Sequence, residues 1–128
     1  MPNEGNLQEL STSALRLLAN EPKFLPNGLY SGARPEEHRI ALEQIVNHLI
    51  LAIADLAPAQ QTKNHVLGMF RATLNRLTQV DSEEKEQICA YLERTMKILG
   101  IESSDGILNT FVYGFDLQAL IQARNSEA

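Results

Sequence analysis

The sequence has little of what disulfide-linked, exported or membrane proteins need. Its 128 residues include one Cys, and one Cys excludes an internal disulfide, which fits a reducing compartment. The longest apolar run, 49–54, is far short of the roughly 20 residues of a membrane span. The first residues have neither a cationic start nor an apolar stretch. We therefore predict no signal peptide, no membrane association and a cytoplasmic location.

Patterns typical of metal sites and catalysis are also lacking. His38 and His48 are ten residues apart, about 15 Å along a helix, which is too far to share one ion. Neither a His-Glu-x-x-His motif nor paired cysteines occur, and no glycine-rich run leads into Lys-Ser or Lys-Thr. Cys89 lies about two turns into a predicted helix beside apolar residues, which favours an inert thiol. We predict no metal, no cofactor and no catalytic residue.

What the sequence does have is apolar spacing of three and four residues, which indicates helices throughout. No alternating strand pattern, internal repeat or low-complexity tract occurs. The predicted helices are one ending near Asn20, one from Pro35 to Ala57-Pro58, and others at about 60–77, 82–99, 107–115 and 117–123. We predict an all-α fold in which residues 1–128 form a single domain, a compact bundle of five or six helices with a frayed tail at 125–128.

Helix-end signals support this pattern. Asp81 and Glu84 have the spacing of a capping box, and Gly100 suits the left-handed position after a helix. Pro35 is predicted at the first helical position, before two acidic residues that favour the positive end of the helix dipole. The apolar stripe of that helix is predicted to begin at Ile40.

The segment 21–34 is predicted to be an irregular connection, because it contains two prolines and two glycines. Pro26-Asn27-Gly28 predicts a turn. We expect Phe24, Leu29 and Tyr30 to hold this connection against the body of the protein. Its length is unusual for a compact domain, and long loops are often functional.

The charge distribution leaves several functions open. The net charge is −5, which argues against nucleic acid as a partner. Residues 59–80 nevertheless contain Lys63, Arg71 and Arg76 and no acidic residue. This cationic helix can pair with acidic neighbours inside the protein, accept an acidic partner or, least in keeping with the total charge, contact DNA.

The segment 101–115 is the most apolar part of the chain outside the long helices. Three of the seven aromatic residues, Phe111, Tyr113 and Phe115, fall within five positions. Such a segment either closes the core or forms an exposed patch that another chain covers.

Several landmarks resemble a bacterial family of small helical proteins of unknown function. They are Phe24-Leu25-Pro26, the stretch 29–33, the stretch 82–86 and the closing motif formed by 101–109 with Tyr113-Gly114-Phe115. The family pattern has Trp where Phe111 stands and Pro where Ser31 stands. The resemblance implies an α-helical domain and no established activity.

The hypothesis we favour is a non-enzymatic protein–protein interaction module, such as an inhibitor, immunity or regulatory protein. Its partner would be another protein, bound through the connection 22–34 and the segment 101–115. Tyr30, Phe111 and Tyr113 are the predicted anchors, because buried aromatic side chains carry much of the binding energy at interfaces.

The alternative hypothesis is a small-ligand-binding protein or enzyme with a pocket between helices. Its polar groups would be Glu43, His48 and either Asp55 or Cys89. A homodimer is compatible with both hypotheses.

Overall fold

The computed structural model describes the backbone of residues 3–114 and the side chains of residues 11–114. Within that range it contains five α-helices, one short 3-10 helix and no β-strand, so the all-α prediction is confirmed. The elements are α1 (Asn3–Asn20), α2 (Glu36–Ala54), the 3-10 helix (Pro58–Gln60), α3 (Lys63–Arg76), α4 (Ser82–Leu99) and α5 (Ile107–Tyr113). The predicted helix at 117–123 lies outside the described residues.

The helices enclose one apolar core. α1 packs mainly against α2 and also against α4, α3 packs between α2 and α5, and α5 also packs on α4. No helix within residues 3–114 combines the length and the apolar composition that crossing a bilayer requires. The most deeply buried apolar side chains are Leu15, Leu18, Phe24, Val46, Ile50, Ile53, Val66, Phe70, Ile88 and Leu92.

The predicted helix-end signals are present around α4. The Glu84 backbone N–H donates to Asp81 Oδ1 at 2.7 Å, and the Asp81 N–H donates to Glu84 Oε1 at 3.1 Å, which completes the capping box. Gly100 ends the helix with φ of 74°. These contacts involve neighbours in sequence, so the pattern of residues was enough to predict them.

Four local predictions about α2 and the connection before it were wrong. Leu29 does not hold the connection to the body; it is fully exposed at the tip of a tight turn. Ile40 is exposed because it lies about 200° around α2 from the buried Leu42. Pro35 is the N-cap rather than the first helical residue, and the helix ends at Ala54, before a 3-10 turn.

Candidate functional site

Residues 21–35, which we call the connecting loop, have a defined backbone. Asn27 and Tyr30 exchange two backbone hydrogen bonds of 3.0 Å around the turn, and Ala33 N–H donates to Phe24 O at 2.9 Å. Gly32 has φ of 87°, and an added Cβ there would lie 2.9 Å from Pro26 Cδ. The loop is therefore a folded unit in which backbone hydrogen bonds join the residues before the turn to those after it.

Lys23 fixes the start of the loop from inside the protein. Its side chain is completely buried. Its ammonium donates to the carbonyl oxygens of Leu18 and Glu21, at the C-terminal end of α1, and lies 5.6 Å from the centre of the Tyr91 ring. Burial lowers the pKa of Lys23 from its usual value. A cation that caps the last carbonyls of a helix stabilises both the helix end and the chain that follows.

α2 supplies a second set of anchors to the loop. The Lys23 backbone N–H donates to Glu43 Oε2 at 2.7 Å. Arg39 donates to the Lys23 carbonyl oxygen and to Glu43, at 3.2 Å in each case, and forms a 2.6 Å pair with Glu36. Glu43 is thus occupied in holding the loop.

α4 supplies the third set. The Phe24 N–H donates to Tyr91 Oη at 3.0 Å, and the two rings meet edge to face at 5.3 Å. Arg94 pairs with Glu21 at 2.6 Å, and this contact lowers the pKa of Glu21. These anchors come from positions up to 73 residues away in sequence, so the sequence pattern did not reveal them. Only Lys23 has a local signal, a cation just after a predicted helix end.

Two leucines of this fixed loop face solvent. Leu29 is fully exposed and Leu25 is 45% exposed, while Phe24 between the loop and α4 is completely buried. The loop therefore uses one apolar side chain to attach itself to the protein and presents two others outward.

The three predicted anchors occupy different environments. Tyr30 is 8% exposed, so it belongs to the interior of the loop and does not offer a surface contact. Its hydroxyl is buried without a hydrogen-bond partner among the described residues, and burial raises its pKa to about 12. Phe111 packs against the core, and the centre of its ring lies 5.6 Å from Lys85 Nζ. Tyr113 is 59% exposed and is the most exposed of the three anchors.

The polar groups of the alternative hypothesis do not meet. Asp55 pairs with Arg16 at 2.6 Å. His48 lines a groove between α2 and α3. Cys89 is buried under α5 with its sulfur 3.8 Å from Leu108 O, and burial raises the pKa of this thiol to about 12. Glu43 belongs to the connecting loop's anchors.

Two further ion pairs join separate elements of the protein. His38 Nε2 lies 2.9 Å from Glu84 Oε2, a pair that joins the N-terminal ends of α2 and α4 and that the sequence analysis missed. Lys63 pairs with Asp105 at 3.1 Å, as internal pairing of the cationic helix predicts. Within residues 11–114, Lys63 is the member of the cationic helix for which internal pairing is found, and Arg71 and Arg76 take part in no ion pair there. Within the same range, no three His, Cys, Asp or Glu side chains are close enough to hold a metal ion.

Comparison with known proteins places this fold in a family. A structural match is the crystal structure of a DUF3571 family protein from Acinetobacter baumannii, with a TM-score of 0.74 and 26% sequence identity over 91% of this chain and 98% of that one. None of the curated proteins matches this chain. Residues 5–116 match the sequence model of a family described as a domain of unknown function, DUF4844. That range covers most of the chain and includes the landmarks 24–26, 29–33 and 82–86, so this protein belongs to the DUF4844 family.

Proposed function

We propose that this protein is a non-enzymatic protein–protein interaction module whose contact surface is centred on the connecting loop. The observation that supports the proposal best is the full exposure of Leu29 at the tip of a loop whose first residues are held by α1, α2 and α4. An exposed leucine on a mobile loop is common at protein surfaces. An exposed leucine on a loop held by buried groups is positioned for contact.

The anchors of the loop make binding more favourable. Ordering a flexible loop on association costs about 0.5–1.5 kcal/mol for each immobilised side chain. Here Lys23, Glu43 and Tyr91 already order the backbone before the turn, and the hydrogen bond from Ala33 N–H to Phe24 O joins the chain after the turn to it. A partner that covers Leu25 and Leu29 would therefore gain the burial of apolar surface, about 1.5–3 kcal/mol for a complete leucine side chain, at a reduced entropic cost.

The side chains considered for catalysis also support a binding role, since most of them serve the structure. Glu43 accepts two hydrogen bonds from the loop and Arg39, Asp55 pairs with Arg16, and the Cys89 thiol is buried with a raised pKa.

A variant pair tests this proposal. Tagged wild-type protein, Leu29→Ser and Leu17→Ser are used to capture partners from native lysate, with mass spectrometry as the readout. Leu17 is 69% exposed on α1, so Leu17→Ser removes the same apolar group from another surface. We expect one partner to be captured by wild type and by Leu17→Ser and to be lost with Leu29→Ser. A partner retained by Leu29→Ser would show that the loop is not its contact.

Self-association is distinguished in the same series. Sedimentation velocity on purified wild type and Leu29→Ser shows whether the partner is a second copy of this chain. A dimer that Leu29→Ser dissociates would make the loop a homodimer interface, whereas two monomeric proteins would leave a different protein as the partner.

A groove between α2 and α3 favours a second candidate function, the binding of a small ligand. Its volume is about 530 Å³, and its lining is mostly apolar with His48 and Arg76 at polar positions. This volume is typical of small-molecule sites. A thermal-shift screen with wild type and Ala72→Leu, which fills the groove, tests it. Ligands that stabilise wild type and not the variant would support this function.

A further inference from the structure

A cleft of about 580 Å³ lies between α3 and residues 101–114, which we call the C-terminal segment. None of its lining residues belongs to the connecting loop or to the α2–α3 groove. The lining combines apolar and polar side chains. The apolar part includes Leu74, Leu77, Ile107 and Phe111, and the polar part includes Arg71, Asn75, Thr78, Lys85 and Thr110.

The described lining of the cleft carries more positive than negative side chains, although the protein as a whole is acidic. The whole chain carries −5. Of the described residues that line the cleft, Asp105 is the acidic one, and Lys63 already pairs with it at 3.1 Å. Within residues 11–114, Arg71 and Lys85 form no ion pair. Within the described residues, these two cations therefore line one concave surface without an ion-pair partner, and the field of each adds to that of the other.

The position of Lys85 connects the charged and apolar parts. Its Nζ lies 5.6 Å from the centre of the Phe111 ring, a cation–π arrangement that keeps the ammonium over the apolar part of the lining. A ligand whose anionic group contacts Lys85 therefore places its remaining atoms near Phe111. Arg71 adds a planar group that matches carboxylate and phosphate oxygens. The hydroxyls of Thr78 and Thr110 and the amide of Asn75 add neutral donors.

We propose that this cleft binds a small organic anion, a carboxylate or phosphate monoester carried on an apolar body. Its volume lies within the range of about 300–1,000 Å³ typical of small-ligand sites, and a few polar groups in an otherwise apolar lining are typical of such sites. This site is independent of the proposed interaction function, because it uses none of the loop residues.

Four probes test the chemistry of the ligand by NMR on the isotope-labelled protein. Benzoate and phenyl phosphate combine an anionic group with an apolar body. Benzyl alcohol has the body without the charge, and inorganic phosphate has the charge without the body. We expect benzoate or phenyl phosphate to shift the amide signals of Thr78, Thr110 and Phe111. Both control probes should bind with at least about tenfold lower affinity, because each lacks either the anionic group or the apolar body. The stronger of the two anions identifies the carboxylate or the phosphate as the group recognised.

Charge variants locate the site. Arg71→Gln and Lys85→Gln are each expected to weaken binding of the better probe by about tenfold, the effect of losing a charge-assisted hydrogen bond. Arg76→Gln is the matched control. It removes the same charge from the same helix, but Arg76 lies about 140° around α3 from Arg71 and lines the other groove. It is expected to change the dissociation constant by about twofold at most, because exposed charges are screened.

Three results would overturn the proposal. One is benzyl alcohol binding as well as benzoate does, which would make the site apolar only. Another is an equal loss in Arg71→Gln and Arg76→Gln, which would reduce the effect to total charge. The third is the absence of signal shifts around the cleft with either anion. Leu29→Ser is expected to leave probe binding unchanged, so failure of the loop proposal and failure of this one are distinguishable.

Discussion

The connecting loop and the C-terminal segment are attached to α4 by different means. The loop contacts α4 through Tyr91, and the C-terminal segment contacts it through Cys89, about 200° away around the helix. The loop is held by buried polar contacts, among them the ammonium of Lys23. The C-terminal segment is held mainly by apolar side chains such as Leu108, while the hydroxyl oxygens of Ser103 and Ser104 accept hydrogen bonds from its own backbone N–H groups.

The difference shows how irregular chain can be made part of a fold. Buried backbone N–H and C=O groups need partners. α5 satisfies its own through helical hydrogen bonds, so apolar packing is enough to attach the C-terminal segment. The loop has no such pattern, so Glu43, Arg39 and Tyr91 provide partners from other elements. The loop therefore depends on single side chains more than the C-terminal segment does.

Phe24→Ala and Phe111→Ala are expected to differ most in the free energy of unfolding that they cost. Phe24 is completely buried, so its truncation is expected to lower the free energy of unfolding by about 3–5 kcal/mol. Phe111 is half-buried, and its truncation is expected to cost about half as much. Urea unfolding followed by circular dichroism measures both. Equal losses of unfolding free energy would mean that Phe24 contributes no more to the core than Phe111 does.

Gly32→Ala and Gly114→Ala compare how tightly the backbone is packed in the connecting loop and in the C-terminal segment. Both glycines have φ near +80°, where a side chain costs about 1–2 kcal/mol. At Gly32 the added Cβ also meets Pro26 Cδ at 2.9 Å, whereas at Gly114 it meets no described residue within 4 Å. We expect a loss of about 2–4 kcal/mol for Gly32→Ala and about 1 kcal/mol for Gly114→Ala. Melting temperatures in the reverse order would contradict the close approach at Gly32.

Tyr91→Phe and Tyr30→Phe remove one hydroxyl each from the loop region. Tyr91→Phe leaves the Phe24 N–H without its acceptor and is expected to cost about 1–3 kcal/mol. Tyr30→Phe removes a buried hydroxyl that has no partner among the described residues, so it is expected to be neutral or to stabilise by up to about 1 kcal/mol. Amide hydrogen exchange at Phe24 should accelerate in the first variant only. Acceleration in both would give the two hydroxyls equal roles.

Glu21→Gln tests the smallest effect, the exposed ion pair at the start of the loop. Arg94 lowers the pKa of Glu21 below 4.5, so its contribution to stability is complete above pH 4.5 and is lost as the pH falls through the lowered value. Because both side chains are about half exposed, we expect about 0.5 kcal/mol or less. Melting curves of wild type and variant should therefore converge at low pH.

Asp105→Asn is the matched variant for the C-terminal segment. It breaks the exposed pair with Lys63, a single contact of 3.1 Å, and asparagine tolerates the φ of 55° at that position. A smaller loss than in Glu21→Gln is expected, since Arg94 makes two hydrogen bonds to Glu21. A larger loss would show that the C-terminal segment also depends on polar contacts.

The sequence by itself determined the features that depend on near neighbours. Apolar spacing predicted the described helices and the buried face of α3, including Phe70 and Leu74. The capping box at Asp81, the helix end at Gly100 and the irregular connection were also predicted, because a few adjacent residues specify each of them.

Only the tertiary structure decided which side chains meet across the bundle. Leu29 and Tyr30 are adjacent in sequence, yet Leu29 is fully exposed and Tyr30 is buried, because the tight turn directs their side chains differently. Lys85 and Arg71 come to line one cleft because α3 and α4 each pack against α5. Such contacts depend on the relative position of distant elements, and no local pattern of residues encodes that position.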